Sequence, residues 1–146
     1  MPKPTVQPNP KASLGMALIC KDGEKFIGPC LESIAPYVKQ IVVAVYDRTS
    51  DRTAKIARKY GAEIHYFKMC DTHECAQHRP AIQAQHFARA RNFSFSKLDP
   101  DLDFWGWIDA DDVMQNAQML PELCGKIPVE SIGAWAEYLY SYTRRP

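Results

Sequence analysis

The chain has 146 residues, 46% of them apolar and 24% charged, with a net charge of +1 at pH 7. That balance excludes a disordered segment and a mini-protein, and fits one soluble globular domain with its own hydrophobic core. Lys and Arg are spread without a basic tract, which argues against nucleic acid as the main partner. No apolar run approaches the roughly 18 residues that cross a bilayer, and the N-terminus lacks a signal-peptide core.

In chain order, the opening MPKPTVQPNPKAS carries prolines at 2, 4, 8 and 10, which predicts an extended arm over residues 1–12 ahead of a domain spanning 13–146. LGMALIC (14–20) is a short apolar run of the kind buried in a sheet. In KDGEKFIGPCLESIAPYV the residues Phe26, Ile27, Cys30, Leu31, Ile34 and Val38 recur at helical spacing, with Pro29 tolerable only in the first turn. QIVVAVY (40–46) is a β-branched run and predicts a strand covered on both faces. DRTSDRTAKIARKYGA predicts a loop, a Ser or Thr N-cap, a helix through Ala54, Ile56, Ala57 and Tyr60, and Gly61 as its stop. EIHYF (63–67) is a third strand, residues 80–98 a helix, and DFWGWID (103–109) a fourth strand.

Strand and helix alternate, which calls for a mainly parallel sheet with helices on both faces. Such sheets bind ligands at the carboxyl ends of their strands, where the strand order reverses. Two acidic segments fall at those ends: YDRTSD after the second strand and DADD after the fourth. In extended chain, residues two apart share a face at about 6.5–7 Å. Asp109 and Asp111 can therefore aim at one point, and a divalent cation there would relieve their repulsion. Mg2+ and Mn2+ prefer six oxygens, so a carboxylate pair implies a metal shared with waters and ligand phosphates. Asp47, ending the second strand, is placed to accept hydrogen bonds from a base or ribose.

Four blocks in this order resemble the family-2 glycosyltransferases of the GT-A fold. LICKDGEKFIGPCLESI is similar to their first strand, loop and helix, and IVVAVYDRTSDRTAKIARKYGAEIHYF to their nucleotide loop and its flanks. FARARNFSF is similar to their Ala-Arg-Asn block, and FWGWIDADDVM to their metal-binding Asp-x-Asp strand. The resemblance covers about residues 13–114. It implies a Rossmann-like, mainly parallel sheet flanked by helices. It also implies transfer of a sugar from a nucleotide-diphosphate donor, such as a UDP- or GDP-sugar, to a hydroxyl of a glycan, lipid or protein acceptor, with Mg2+ or Mn2+ and inversion. Carried onto this chain, backbone near Ile19 and Cys20 lines the nucleoside pocket and Asp47 contacts the base. Asp109 lies by ribose and metal, Asp111 is the principal metal ligand, and Arg91 lies near the diphosphate. No residue is identified as the general base.

The sequence departs from the family at KDGE after the first strand, at Arg48 in place of a usual Gly, and in the long segment KMCDTHECAQHRPAIQAQH. Only about thirty residues follow the Asp-x-Asp strand, where the family carries its acceptor-binding elements. The expectation is thus the donor-binding half of such an enzyme, with a non-catalytic nucleotide-sugar-binding module and a sugar-nucleotide nucleotidyltransferase as rivals.

The five cysteines, Cys20, Cys30, Cys70, Cys75 and Cys124, are odd in number and scattered. That argues against a secreted disulfide framework and makes a reducing, cytoplasmic setting, or one peripheral to the membrane, the expectation. Cys70, Cys75, His73, His78 and His86 are poorly spaced for zinc, and a surface insertion or mobile flap is the preferred reading. Trp105 and Trp107 share a strand face and are expected to pack beneath a helix rather than stack on sugar. Arg89 and Arg91 diverge on their helix, so one alone should face the crevice. Tyr138, Tyr140 and Tyr142 alternate as on a strand, a face that self-association would cover.

Overall fold

Three apolar runs become strands at the bounds their sequence sets: β1 (Leu14–Cys20), β2 (Gln40–Tyr46) and β3 (Glu63–Phe67). The fourth, β4 (Phe104–Trp107), is shorter than the expected 103–109. The structure, a computed structural model, describes residues 12–68 and 80–127, with the backbone alone over 80–85. The arm before Ala12, the residues Cys70, His73, Cys75 and His78, and the Tyr138–Tyr142 alternation lie outside the described residues.

All pairings are parallel, and the strand order is β3-β2-β1-β4. This is the alternating α/β sheet expected from sequence. Its helices are α1 (Ile27–Ile34), α2 (Thr53–Lys59), α3 (Pro80–Phe95) and α4 (Leu120–Lys126). α1 and α2 touch each other, whereas α3 lies against β1, β2 and β3. Along β1, Met16, Leu18 and Cys20 join the cluster containing Ile27, Cys30, Leu31 and Ile34 of α1. Gly15 points the other way, towards Leu98 and Leu102 just past α3. Because successive strand residues alternate in direction, the two helical layers cover opposite faces. β2 is buried from Ile41 to Tyr46, as its unbroken β-branched run requires. Among the described residues, no helix is long and apolar enough to cross a membrane.

α1 forms because Ile27, Cys30, Leu31 and Ile34 make one fully buried stripe, and Pro29 sits in the first turn where its missing N–H is harmless. Phe26 does not join that stripe. It holds the N-cap position and is 53% exposed, because the helix begins one residue later. α2 also lacks the expected Ser or Thr N-cap. Arg52 holds that position without a side-chain cap, and Asp51 instead accepts a hydrogen bond from the Thr53 N–H at 2.9 Å. Gly61 stops α2 with φ +78°, a conformation that costs glycine nothing. α4 follows a 3-10 turn over Ala117–Met119.

Candidate functional site

The strand order turns back at β1, with β2 and β3 on one side and β4 on the other. Ligand crevices of parallel sheets open at such a reversal, beyond the carboxyl ends. Three segments meet that description: the loop after Cys20, the loop opening at Asp47, and the turn from Ile108 to Asp112. The Ile108 N–H donates to the Ala17 carbonyl at 3.4 Å, so β4's pairing with β1 persists to the residue before Asp109.

Asp109 and Arg91, both singled out in the sequence, form an ion pair: Arg91 Nη2 donates to Asp109 Oδ1 at 2.8 Å. The Arg91 side chain is 12% exposed and the Asp109 side chain 48%. The guanidinium carbon lies 4.9 Å from the Phe87 ring centroid and 5.6 Å from that of Trp107, within cation–π range. Nη1 of the same guanidinium is buried and has no hydrogen-bond partner among the described residues. Arg89 is exposed and points elsewhere, as two positions' separation on a helix requires.

The backbone of Asp109 is held as firmly as its side chain. Its carbonyl accepts from Cys30 Sγ at 3.5 Å and from the Asp112 N–H at 3.0 Å, closing the turn. Asp111 is exposed and Asp112 half-buried. Burial, then the negative charges of Asp109 and Asp111, push the Asp112 carboxyl above its ordinary value. Burial also pushes the Cys30 thiol up to about 12, helped by Asp112, Cys20, Asp111 and Asp109.

Asp47 is exposed beyond β2, its N–H donating to the Phe67 carbonyl at 3.0 Å. Ile19 is half-buried and Cys20 buried, in register with Ala44 and Val45. The Cys20 thiol belongs to the core cluster, and burial followed by the Asp51 charge pushes it up to about 11. Cys20, Cys30 and Cys124 are buried free thiols.

A clasp between the two loops was not foreseen. Gly23 N–H donates to Thr53 Oγ1 at 2.8 Å, and Glu24 N–H to Asp51 Oδ2 at 2.9 Å. Arg52 N and Nε both donate to Glu24 Oε2 at 3.1 Å, and Ser50 N–H to Asp22 Oδ1 at 3.1 Å. The Asp-x-Thr spacing at the start of α2 is the sequence signal that was available for it.

Trp105 and Trp107 pack on Phe95 of α3, with ring centroids at 4.8 and 6.1 Å, yet remain 59% and 47% exposed. A separate cleft of about 480 Å³ lies at the carboxyl end of β3, lined by Tyr66, Phe67, Lys68, His86, Arg89 and Phe93 among others. Its lining includes none of Asp47, Arg91, Asp109, Asp111 and Asp112.

Among the described residues, no group of three or more His, Cys, Asp or Glu is gathered to hold a metal ion. Asp109 and Asp111 fit a hard divalent ion in donor type but supply too few ligands to retain one unaided.

No family model matches the chain, and no curated protein does. Among solved structures it is similar to glucosyl-3-phosphoglycerate synthase from Mycobacterium tuberculosis in complex with uridine diphosphate, at 19% identity and a TM-score of 0.48. The match covers 86% of this chain and 45% of that one, so the chain spans less than half of that structure's length.

Proposed function

We propose that the chain is the donor-binding part of a metal-dependent glycosyltransferase of the GT-A kind, taking a nucleotide-diphosphate-sugar in the crevice between β1 and β4. One observation carries this reading. At the sheet's switch point a nearly buried guanidinium holds Asp109, the first of three aspartates within four positions, and keeps a second donor, Nη1, without an acceptor among the described residues.

Such an arrangement suits a diphosphate. The orphan N–H of Arg91 becomes a donor to a phosphate oxygen once the guanidinium turns towards the ligand, and such donors stabilise charge that grows on a leaving group. Asp109 and Asp111 are the residues that would hold Mn2+ or Mg2+, which when bound neutralises the departing diphosphate. Asp47 accepts hydrogen bonds from the base, and the backbone at Ile19 and Cys20 lines the nucleoside's edge. The acceptor is a hydroxyl of a glycan, lipid or protein, and inversion at the anomeric carbon is the expected course. No described residue is assigned as the base that takes the acceptor's proton.

Calorimetry with UDP and with GDP, each with and without Mn2+, tests the reading. Binding that requires Mn2+ and is lost in Asp111→Asn is the expected result. An absence of metal-dependent binding to either nucleotide overturns it. Donor hydrolysis or transfer by the purified chain then separates an enzyme from a module that binds without turnover.

A further inference from the structure

Resting on that reading of the crevice, we propose that Arg91 is a stand-in cation: its guanidinium occupies Asp109 while the crevice is empty and passes to the diphosphate on loading. Metal and nucleotide are thereby admitted together rather than separately.

The geometry supplies each part of this exchange. The contact between Arg91 Nη2 and Asp109 Oδ1 is 2.8 Å, with the arginine side chain only 12% exposed. Asp109 keeps water on its open side, but stripping that carboxylate away leaves the nearly buried guanidinium of Arg91 unpaired, which is costly. A lone divalent cation seeking Asp109 must do just that to Arg91. A cation arriving with a diphosphate brings its own remedy, because phosphate oxygens accept bidentate hydrogen bonds from a guanidinium. The unsatisfied Nη1 shows that Asp109 does not exhaust the donors of Arg91. The rings of Phe87 and Trp107 lie against the guanidinium from α3 and β4 and do not depend on which anion it serves. They hold it in place through the exchange.

Two effects of opposite sign follow from removing the guanidinium. Without nucleotide, Asp109 is released, and Mn2+ alone binds more tightly. With nucleotide, the phosphate oxygens lose a donor, and UDP binds the Mn2+-loaded protein more weakly. Each change is expected to be roughly tenfold or more, the scale on which groups surrounding a metal's ligands alter its affinity.

The experiment measures Mn2+ binding from the resonance of free Mn2+, and UDP binding by calorimetry. It uses wild type, Arg91→Ala, Arg91→Gln and, as a control for general charge, Arg89→Ala. The Gln variant retains a long side chain over the rings and carries the test if the Ala variant fails to fold. Tighter Mn2+ binding alone together with weaker UDP binding, in the Arg91 variants and not in Arg89→Ala, is the expected outcome. Unchanged or weaker Mn2+ binding by both Arg91 variants overturns the exchange and leaves Arg91 a structural prop. So does an equal effect from Arg89→Ala. A wild-type chain that binds no UDP even with Mn2+ overturns the proposed function and this inference with it, an outcome distinct from the other two.

Discussion

At Gly23 the chain has no room for one more methyl group. A Cβ built there would stand 2.3 Å from Cys20 Sγ, while the Gly23 N–H is committed to the buried Thr53 hydroxyl. Gly23→Ala should therefore destabilise the fold by about 1–3 kcal/mol in urea unfolding, the usual cost of overpacking. Cys20→Ala in the same chain should restore part of that loss; strictly additive effects would acquit the sulfur contact. Residues of this kind are hard to read from sequence, because the obstacle at Gly23 comes from the fold's closure and not from local pattern. Asp109 and Arg91 were easier. Each stands out by type and placement, one at a strand's end and one in the Ala-Arg-Asn block. Their direct pairing was not legible, since only the folded positions of α3 and β4 bring them within 2.8 Å.

Among the elements, legibility followed the apolar pattern of each run. β1, β2 and β3 matched their expected bounds because unbroken or alternating apolar runs leave few other options. α4 shows only Cys124 and Gly125 buried, a pattern too sparse to announce a helix. The start of α2 was misjudged because a residue outside the helix, Asp51, does the capping. Burial pushes the Asp51 carboxyl up, but hydrogen bonds from the Thr53 hydroxyl and the Glu24 and Thr53 amides outweigh it and hold it below the ordinary value. The Glu24 carboxyl is held low as well, first by the Arg52 N–H and then by its side chain. Groups depressed on folding stabilise the protein above their unfolded values, about pH 4, and lose that contribution as pH falls through the folded values. The clasp should thus loosen on acidification below about pH 4, not at alkaline pH. Melting temperatures between pH 2 and 6 should show a shallower acid decline in Asp51→Asn than in wild type. Parallel declines would mean that Asp51 is not a source of the acid sensitivity.

The whole molecule is unequal in its two helical layers. Beneath α1 the sheet presents Met16, Leu18, Ile41, Val43 and Val45 to a fully buried stripe. Towards α3, β1 presents Gly15, and of the helix's described side chains only Ala90 and Ser94 are buried, while Phe87, Ala88 and Arg89 are exposed. Opening free energy tracks the apolar surface an element buries, so α3 should detach at lower cost than β1 and β2. Native-state hydrogen exchange is expected to show α3 amides from Phe87 to Phe95 opening well below the global unfolding free energy, with β2 amides near it. Equal protection would contradict this ranking. The same asymmetry bears on the crevice, because α3 carries Arg91 and every opening of the helix breaks the pair with Asp109. A ligand whose oxygens engage Arg91 should therefore raise protection in α3 as well as in β2. By linkage, a nucleotide at a hundred times its dissociation constant stabilises the form that binds it by about 2.7 kcal/mol. Since β2 opens only by global unfolding, it gains no more than that. α3 gains as much only because its opening carries Arg91 away and so abolishes binding. Protection that rises in β2 while α3 stays as it was would place the ligand away from Arg91.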